Sequence, residues 1–459
     1  MGTLEQQLNQ LNGRLTEACD ALWDSFVDPR EPYAGEEGGW WTPVVAGGFE
    51  AGRGTPASGS MNEAQLAELR ADCRRLAATN EFAINGHENR VSYVVGAGHS
   101  YHVTVRKGVE ATKGLAMQAQ EVLDEFRHEN RWHARQQETV RRLDRDGEVF
   151  LRLFARPGGA TAVRFIEPDQ VVAPQPASGD RSASFGVLTS GDDVEAVEGY
   201  YVDGRLISAT EVQHRKANVD SNVKRGLPLF TPVRKNLRRA DKLLRNMSVV
   251  AEVQSAIALI RKHRSATRNG VEQFVSASAD ATEAGGRGRL PSVTHYGPGT
   301  ILDAPAGLEY DFPATGVDAG SYVAILQAEL RAIAARLVMP EFMLSSNASN
   351  ANYASTLVAE GPAMRMFQRL QASLIEDDCE LMWRVIANAQ KAGRLPRETR
   401  RLIEIQISPP TLRVRDPHQE ARVDKIAYEA GVLSKQTWSQ RLGLDYDQEQ
   451  RNRSLNDAA

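Results

Sequence analysis

Three long runs of helical spacing constrain this chain more than any other feature of its sequence. In residues 233–264, Leu237, Ala240, Leu244, Met247, Ala251 and Ile257 fall on one stripe. In 316–338 the stripe is Val323, Leu326, Leu330, Ile333, Ala334 and Leu337, and a third run covers 353–392. A run of ~30 residues predicts a rod of roughly 45 Å. Pro228 and Pro232 mark the approach to the first rod, and Gly361-Pro362 predicts a kink in the third. A striped rod must bury its stripe, against helices of its own chain or of a neighbouring copy. Between the second and third runs lies "MPEFMLSSNASNANYAST", small and amide side chains with almost no charge.

The rest of the chain alternates between short helices and strands. Residues 1–30 predict an amphipathic helix. The Gly/Pro/Ser-rich stretch 31–60 predicts a loop or extended arm, whose Trp40-Trp41 pair needs a covering surface. Residues 61–98 read as helix, helix and strand, "HSYHVTVRK" as a strand, and 115–143 as helical. "GEVFLRLFARPGGATAVRFIEPDQVVAP" reads as two strands joined by a Pro-Gly-Gly turn, with "FGVLTS" and "VEGYYVDG" extending the β-rich part. Short strands and turns with a Gly-rich tip fill 265–312, "IEIQISPP" is a strand, and short helices close the chain. The fold class is α+β.

Composition excludes more than it selects. With 459 residues, 41% of them hydrophobic, the chain can bury a sizeable core, and its net charge of −4 gives no global attraction for nucleic acid. Cys19, Cys73 and Cys379 match neither a disulfide framework nor a zinc site and read as reduced thiols. The polar N-terminus lacks the apolar core of a signal peptide, and no apolar run predicts a membrane span. "GVEATKG" places its lysine wrongly for a phosphate loop, and "GAGHSY" does not open a helix as a dinucleotide fingerprint must. His99 and His102 have no companion at metal-ligand spacing. Adjacent helical residues diverge by about 100°, so Asp377-Asp378 reads as a solvated face rather than an acid/base pair. No catalytic constellation, metal site or cofactor is expected.

The order of elements, an α+β block, a rod, a β insertion, a second rod, a polar loop, a third helix and a helical end, resembles the portal proteins of tailed bacteriophages. "CRRLAATNEFAINGHENRVSYVVGAGHSY", "VRFIEPDQVV", "MPEFMLSSNASNANYAST" and "RDPHQEARVDKIAYEAGVLSKQTW" carry the resemblance. It implies an N-terminal arm and wing at 1–228, a first stem helix at 229–264, and a clip at 265–312. A second stem helix follows at 313–339, a channel loop and kinked wing helix at 340–404, and a crown at 405–459. It further implies a ring, twelve-fold in the virion, at one capsid vertex, through which DNA is packaged and ejected. The expected partners are other copies of the chain, double-stranded DNA held without sequence preference, the major capsid protein, the terminase large subunit and a head–tail adaptor. No membrane is involved, and assembly would begin in the host cytoplasm.

The resemblance directs the polar loop into the channel. Ser345, Ser346, Asn347, Ser349, Asn350 and Asn352 can hydrogen-bond phosphate or water without fixing a register, as translocation requires. Arg287 and Arg289 in the Gly-rich tip become a docking surface for the packaging motor. Arg234, Lys235, Arg238, Arg239, Lys242 and Arg245 form a basic cluster that reads either as a solvated helix face or as an attraction for DNA or an acidic partner. The alternatives are a helical scaffold or adaptor of the virion that forms no ring, and an enzyme acting on nucleic acid.

Overall fold

The computed structural model describes residues 62–106, 113–174, 181–190, 193–262, 300–304, 319–347, 353–412 and 417–441, with a few isolated positions beyond. The helix and arm expected over 1–60, the Gly-rich tip with Arg287 and Arg289, and Ser349, Asn350 and Asn352 lie outside the described residues. Two compact units are present, Met1–Lys235 with Ile333–Ala459, and Asn236–Ala332.

In chain order the first unit holds α1 (Glu63–Thr79), α2 (Glu81–Val94), β1 (Ser100–Val105), α3 (Lys113–Glu129), α4 (Trp132–Asp146), β2 (Glu148–Ala155) and β3 (Thr161–Ile166). β4 (Val187–Ser190), β5 (Asp193–Val202), β6 (Arg205–Ser208) and β7 (Val212–Lys216) follow. α5 (Arg234–Ala256), β8 (Ile257–Lys262), β9 (Thr300–Ala304) and α6 (Ala319–Leu337) belong to the second unit, apart from Arg234, Lys235 and the last turn of α6. The chain then adds α7 (Glu341–Ser345), α8 (Tyr353–Lys391), α9 (Thr399–Leu402), β10 (Ile403–Ser408), α10 (Pro417–Glu429) and α11 (Lys435–Arg441) to the first unit.

Local chemistry sets the helix ends. The Asn62 side chain accepts from the Gln65 N–H at 2.8 Å while Gln65 Oε1 accepts from the Asn62 N–H at 2.9 Å, a capping box. Asn80 ends α1 and also starts α2, its side chain accepting from the Ala83 N–H at 3.1 Å. Leu66, Leu69, Cys73 and Leu76, three and four apart, are buried along α1.

Three small antiparallel sheets organise the first unit. β2 lies between β3 and β7, β5 lies between β4 and β6, and β1 pairs with β10. One core packs Tyr101, Phe126, Trp132 and Val163 against Leu381, Met382 and Val385 of α8 and Ile405 of β10. A second gathers Phe150, Ile166, Val187, Tyr200 and Val212. In the second unit β8 and β9 pair in parallel, and Asn236 of α5 donates to Glu329 of α6 at 2.7 Å.

At two places in particular, buried charge ties distant parts of the chain together. Glu148, fully buried, accepts from Arg225 Nε at 2.8 Å and from the Gly226 N–H at 3.0 Å, with Arg70 at 2.6 Å and His214 at 3.0 Å. Arg225 also donates to the carbonyls of Pro168 and Val171 in one loop and of Phe185 in another, tying both to β2. Beside it the backbone crosses itself: a Cβ on Gly226 would stand 1.9 Å from the Gly147 carbonyl oxygen. The second place is Asp378, which accepts from Tyr101 Oη at 2.6 Å and Gln136 Nε2 at 2.7 Å and pairs with Arg215 at 2.9 Å.

Four expectations need correcting. Asp378 is not on a solvated face: it lies between Leu374, Leu381 and Met382 on the buried side of α8. Asp377 is half-buried and shares Arg215 at 3.8 Å; burial pushes its carboxyl up to about 6 against the pull of that guanidinium. The helix expected over 233–264 stops at Ala256, where the apolar, β-branched run from Ile257 becomes β8. The strand expected within 91–98 is the end of α2. The helical stretch 115–143 is two helices, broken where Arg131 turns left-handed at φ 47°. The strands at 148–166, 187–202 and 403–408 form as expected, and α8 is helical through Pro362.

Candidate channel segment

The polar segment begins from a firmly seated base. Leu337, the last residue of α6, is fully buried against α2, whose Gly86 leaves the room: a Cβ there would stand 2.5 Å from Leu337 Cδ1. Arg336 donates to the Leu229 carbonyl and to Asn218 Oδ1, both at 3.0 Å. The helix ends in a Schellman turn, with the Met339 N–H on the Ala334 carbonyl at 3.0 Å and the Val338 N–H on Ala335 at 3.2 Å. Val338 therefore takes the left-handed conformation, φ 54°, at a position where glycine is favoured. Val338→Gly is expected to stabilise the protein by about 1 kcal/mol, the relieved strain less the greater entropy of glycine, read as a rise in the urea midpoint.

α7 is pinned from below. Asn85 Nδ2 donates to the carbonyls of Met343 at 2.9 Å and Leu344 at 2.7 Å, and Asn89 Nδ2 donates to Met343 at 3.0 Å. These side chains satisfy carbonyls that a five-residue helix leaves without internal partners. Ser346, φ 58°, then turns the chain out of α7. Of the expected loop residues, Ser345 belongs to α7: its hydroxyl donates to the Glu341 carbonyl at 3.0 Å and accepts from the Asn347 N–H at 3.3 Å. Ser346 and Asn347 are exposed. Sequence reasoning missed Asn85, Asn89 and Gly86; their three- and four-residue spacing on α2 marks a face but names no partner.

The residues of the basic cluster have several different partners. Arg234, in the first unit, pairs with Asp72 at 3.0 Å and donates to the Thr231 carbonyl. In the second unit Arg239 stands 3.9 Å from Glu329, and Arg245 pairs with Asp241 one turn before it. Lys235 and Arg238 are also engaged, and Lys242 Nζ is buried with no hydrogen bond among the described residues.

A cavity of about 560 Å³ beside Val338 is lined by Arg90, Asp144, Arg336 and Met366. Arg90 Nε is spent on both oxygens of Asp144, at 3.0 and 2.9 Å. No group of three or more His, Cys, Asp or Glu able to hold a metal exists among the described residues, and no described helix is long and apolar enough to cross a membrane.

Residues 50–371 match the family described as "Phage portal protein, lambda family". The chain belongs to that family of portal proteins. Portal proteins are structural rather than enzymatic, and they form the channel through which phage DNA enters and leaves the head. The α+β architecture agrees with this membership. No curated protein matches the chain. Among solved structures it is similar to a chain of the neck of a native gene transfer agent particle computed with C12 symmetry, at 16% identity and TM-score 0.45, covering 86% of this portal chain and 97% of that one. A chain of the native gene transfer agent virion gives 16% identity and TM-score 0.46 over 87% and 99%. An HK97-family portal protein from Corynebacterium diphtheriae gives 12% identity and TM-score 0.27 over 65% and 83%. The identification rests on the family match.

Proposed function

We propose that this portal chain closes into a dodecameric ring at one capsid vertex, with Ser346, Asn347, Ser349, Asn350 and Asn352 facing the bore and Ser345 shaping its edge. Family membership carries this reading. Exposed apolar side chains support the ring: in the second unit Val249 is 56% exposed, Val323 41% and Ile325 51%, apolar area available to a neighbouring copy. The stem is read as α5 with α6, the clip as the segment between them, the wing as the first unit and the crown as its last helices. The clip, with Arg287 and Arg289, meets the terminase large subunit during packaging and the head–tail adaptor afterwards, while the wing meets the major capsid protein. Rings form in the host cytoplasm and end in the virion.

A bore lined by hydroxyls and amides fits a moving polyanion, because strong cations would hold DNA where they met it. Asn350→Cys, armed with a photocrosslinker in assembled rings, is expected to label packaged DNA without base preference. Rings that package DNA but never crosslink would remove the loop from the bore. Electron microscopy of the purified protein tests the ring itself: particles with a central hole are expected, and a stable monomer would refute the assembly.

A further inference from the structure

Although the whole chain carries a net charge of −4, residues 391–401, "KAGRLPRETRR", hold five cations and one carboxylate. The fold adds two more arginines. Arg106 joins through its N–H on the Leu402 carbonyl at 2.9 Å. Arg156 joins because the Pro157–Gly159 turn packs onto the end of α8, where a Cβ on Gly159 would stand 2.8 Å from Ala392 Cβ. Arg394 is spent on Glu125 at 2.6 Å, and Arg400 lies over the Trp383 ring at 5.5 Å. Lys391, Arg397 and Arg401 are exposed and have no charged partner among the described residues.

This turn is stiff. Gln390 Nε2 donates to the carbonyls of Pro396 at 2.9 Å and Arg397 at 3.0 Å, and Thr399 Oγ1 donates to Pro396 at 2.6 Å. Leu395 and Thr399, 3% and 0% exposed, root it in the core. A rigid backbone frame beneath the cations lowers the ordering cost of a stationary contact.

We propose that the turn at 391–401, with Arg106 and Arg156, is the docking site for a carboxylate-rich segment of a protein partner of the assembled head. Arginine forks match carboxylate and phosphate alike, so the choice of protein over DNA needs separate grounds. Glu398 and Glu404 are exposed within and beside the cluster. They would repel the closely spaced phosphates of a duplex laid across it, whereas a peptide can thread its acids around them. Position gives the second ground, and it rests on the bore reading above. The 39 residues of α8 separate the turn from the polar loop, a helix of roughly 58 Å. A contact at the turn is thus separate from one made at that loop.

The test uses the purified full-length chain, a fluorescent polyglutamate peptide and a duplex DNA of random sequence, with binding read by anisotropy. The combined variant Lys391→Gln, Arg397→Gln, Arg401→Gln is expected to bind polyglutamate roughly tenfold or more weakly, with the dissociation rate rising more than the association rate falls. A control losing three exposed cations elsewhere, Arg75→Gln, Arg205→Gln, Lys425→Gln, is expected to bind as wild type does. Unchanged polyglutamate binding in the first variant, or equal losses in both, overturns the proposal. A loss confined to the duplex overturns it in favour of DNA. Ring formation and the Asn350→Cys crosslink are read on the same variant and are expected to persist. An Asn350→Cys chain with the turn intact that fails to crosslink removes only the ground drawn from position.

Discussion

Glu148→Gln is expected to cost about 3–5 kcal/mol, because it leaves Arg70 and Arg225 buried without their counter-charge. Glu148 is 0% exposed and receives four donors, from Arg70, Arg225, His214 and the Gly226 backbone, so no water can replace the lost charge. Burial alone would raise its carboxyl, but Arg225, Arg70 and His214 overcome that and hold it well below the usual 4.5. A carboxyl depressed in the folded state contributes stability that is fully present above 4.5 and is lost as pH falls through the folded value. The wild type should therefore lose stability on acidification below that point, and the variant should lack that part of the slope. Urea midpoints from neutral pH down to about pH 4 measure both effects. A variant within about 1 kcal/mol of wild type would mean that the network contributes far less than its burial implies.

Gly226→Ala is expected to reach or exceed the upper end of the ~1–3 kcal/mol typical of overpacking. The added methyl would stand 1.9 Å from the Gly147 carbonyl oxygen and 2.7 Å from its carbon. Both are backbone atoms, so no side-chain rotation relieves the clash. The crossing would have to open, carrying Arg225 and the Gly226 N–H away from Glu148. Gly158→Ala serves as the comparison: its φ of 79° strains an L-residue, but nothing lies within 4 Å of the new methyl. It should cost only about 1 kcal/mol. Soluble yield and urea midpoint separate the two, and equal losses would show that the crossing at Gly226 yields easily to the added methyl.

Much of the fold was legible because periodicity reports burial. The stripe of α6 from Leu326 to Leu337 is buried as its spacing implied, and the strand pair around the Pro-Gly-Gly turn forms in register. Periodicity failed where two structures share one pattern. Ile257–Lys262 continues the apolar run of α5 but ends the helix, since a short β-branched run suits either state. It failed again at Asp378, which chemistry assigned to solvent although Leu374, Leu381 and Met382 share its side of α8. A charge on an apolar stripe signals a buried partner, here Arg215 from β7, which no local pattern can supply. The candidate loop was legible as composition, while the side chains beneath it, Asn85 and Asn89, were not. They lie 258 and 254 positions from Met343, whose carbonyl they hold.

The pairing of β1 with β10 governs how the polypeptide emerges from the ribosome. Ser100 and Ser408 meet across 308 positions, and the core around Trp132 is completed by Leu381 and Ile405. Translation at 5–20 residues per second leaves the early half waiting roughly 15–60 s for its other wall. Throughout that interval Tyr101, Phe126 and Trp132 have no α8 to cover them. The first unit can therefore close this core only once synthesis is nearly complete.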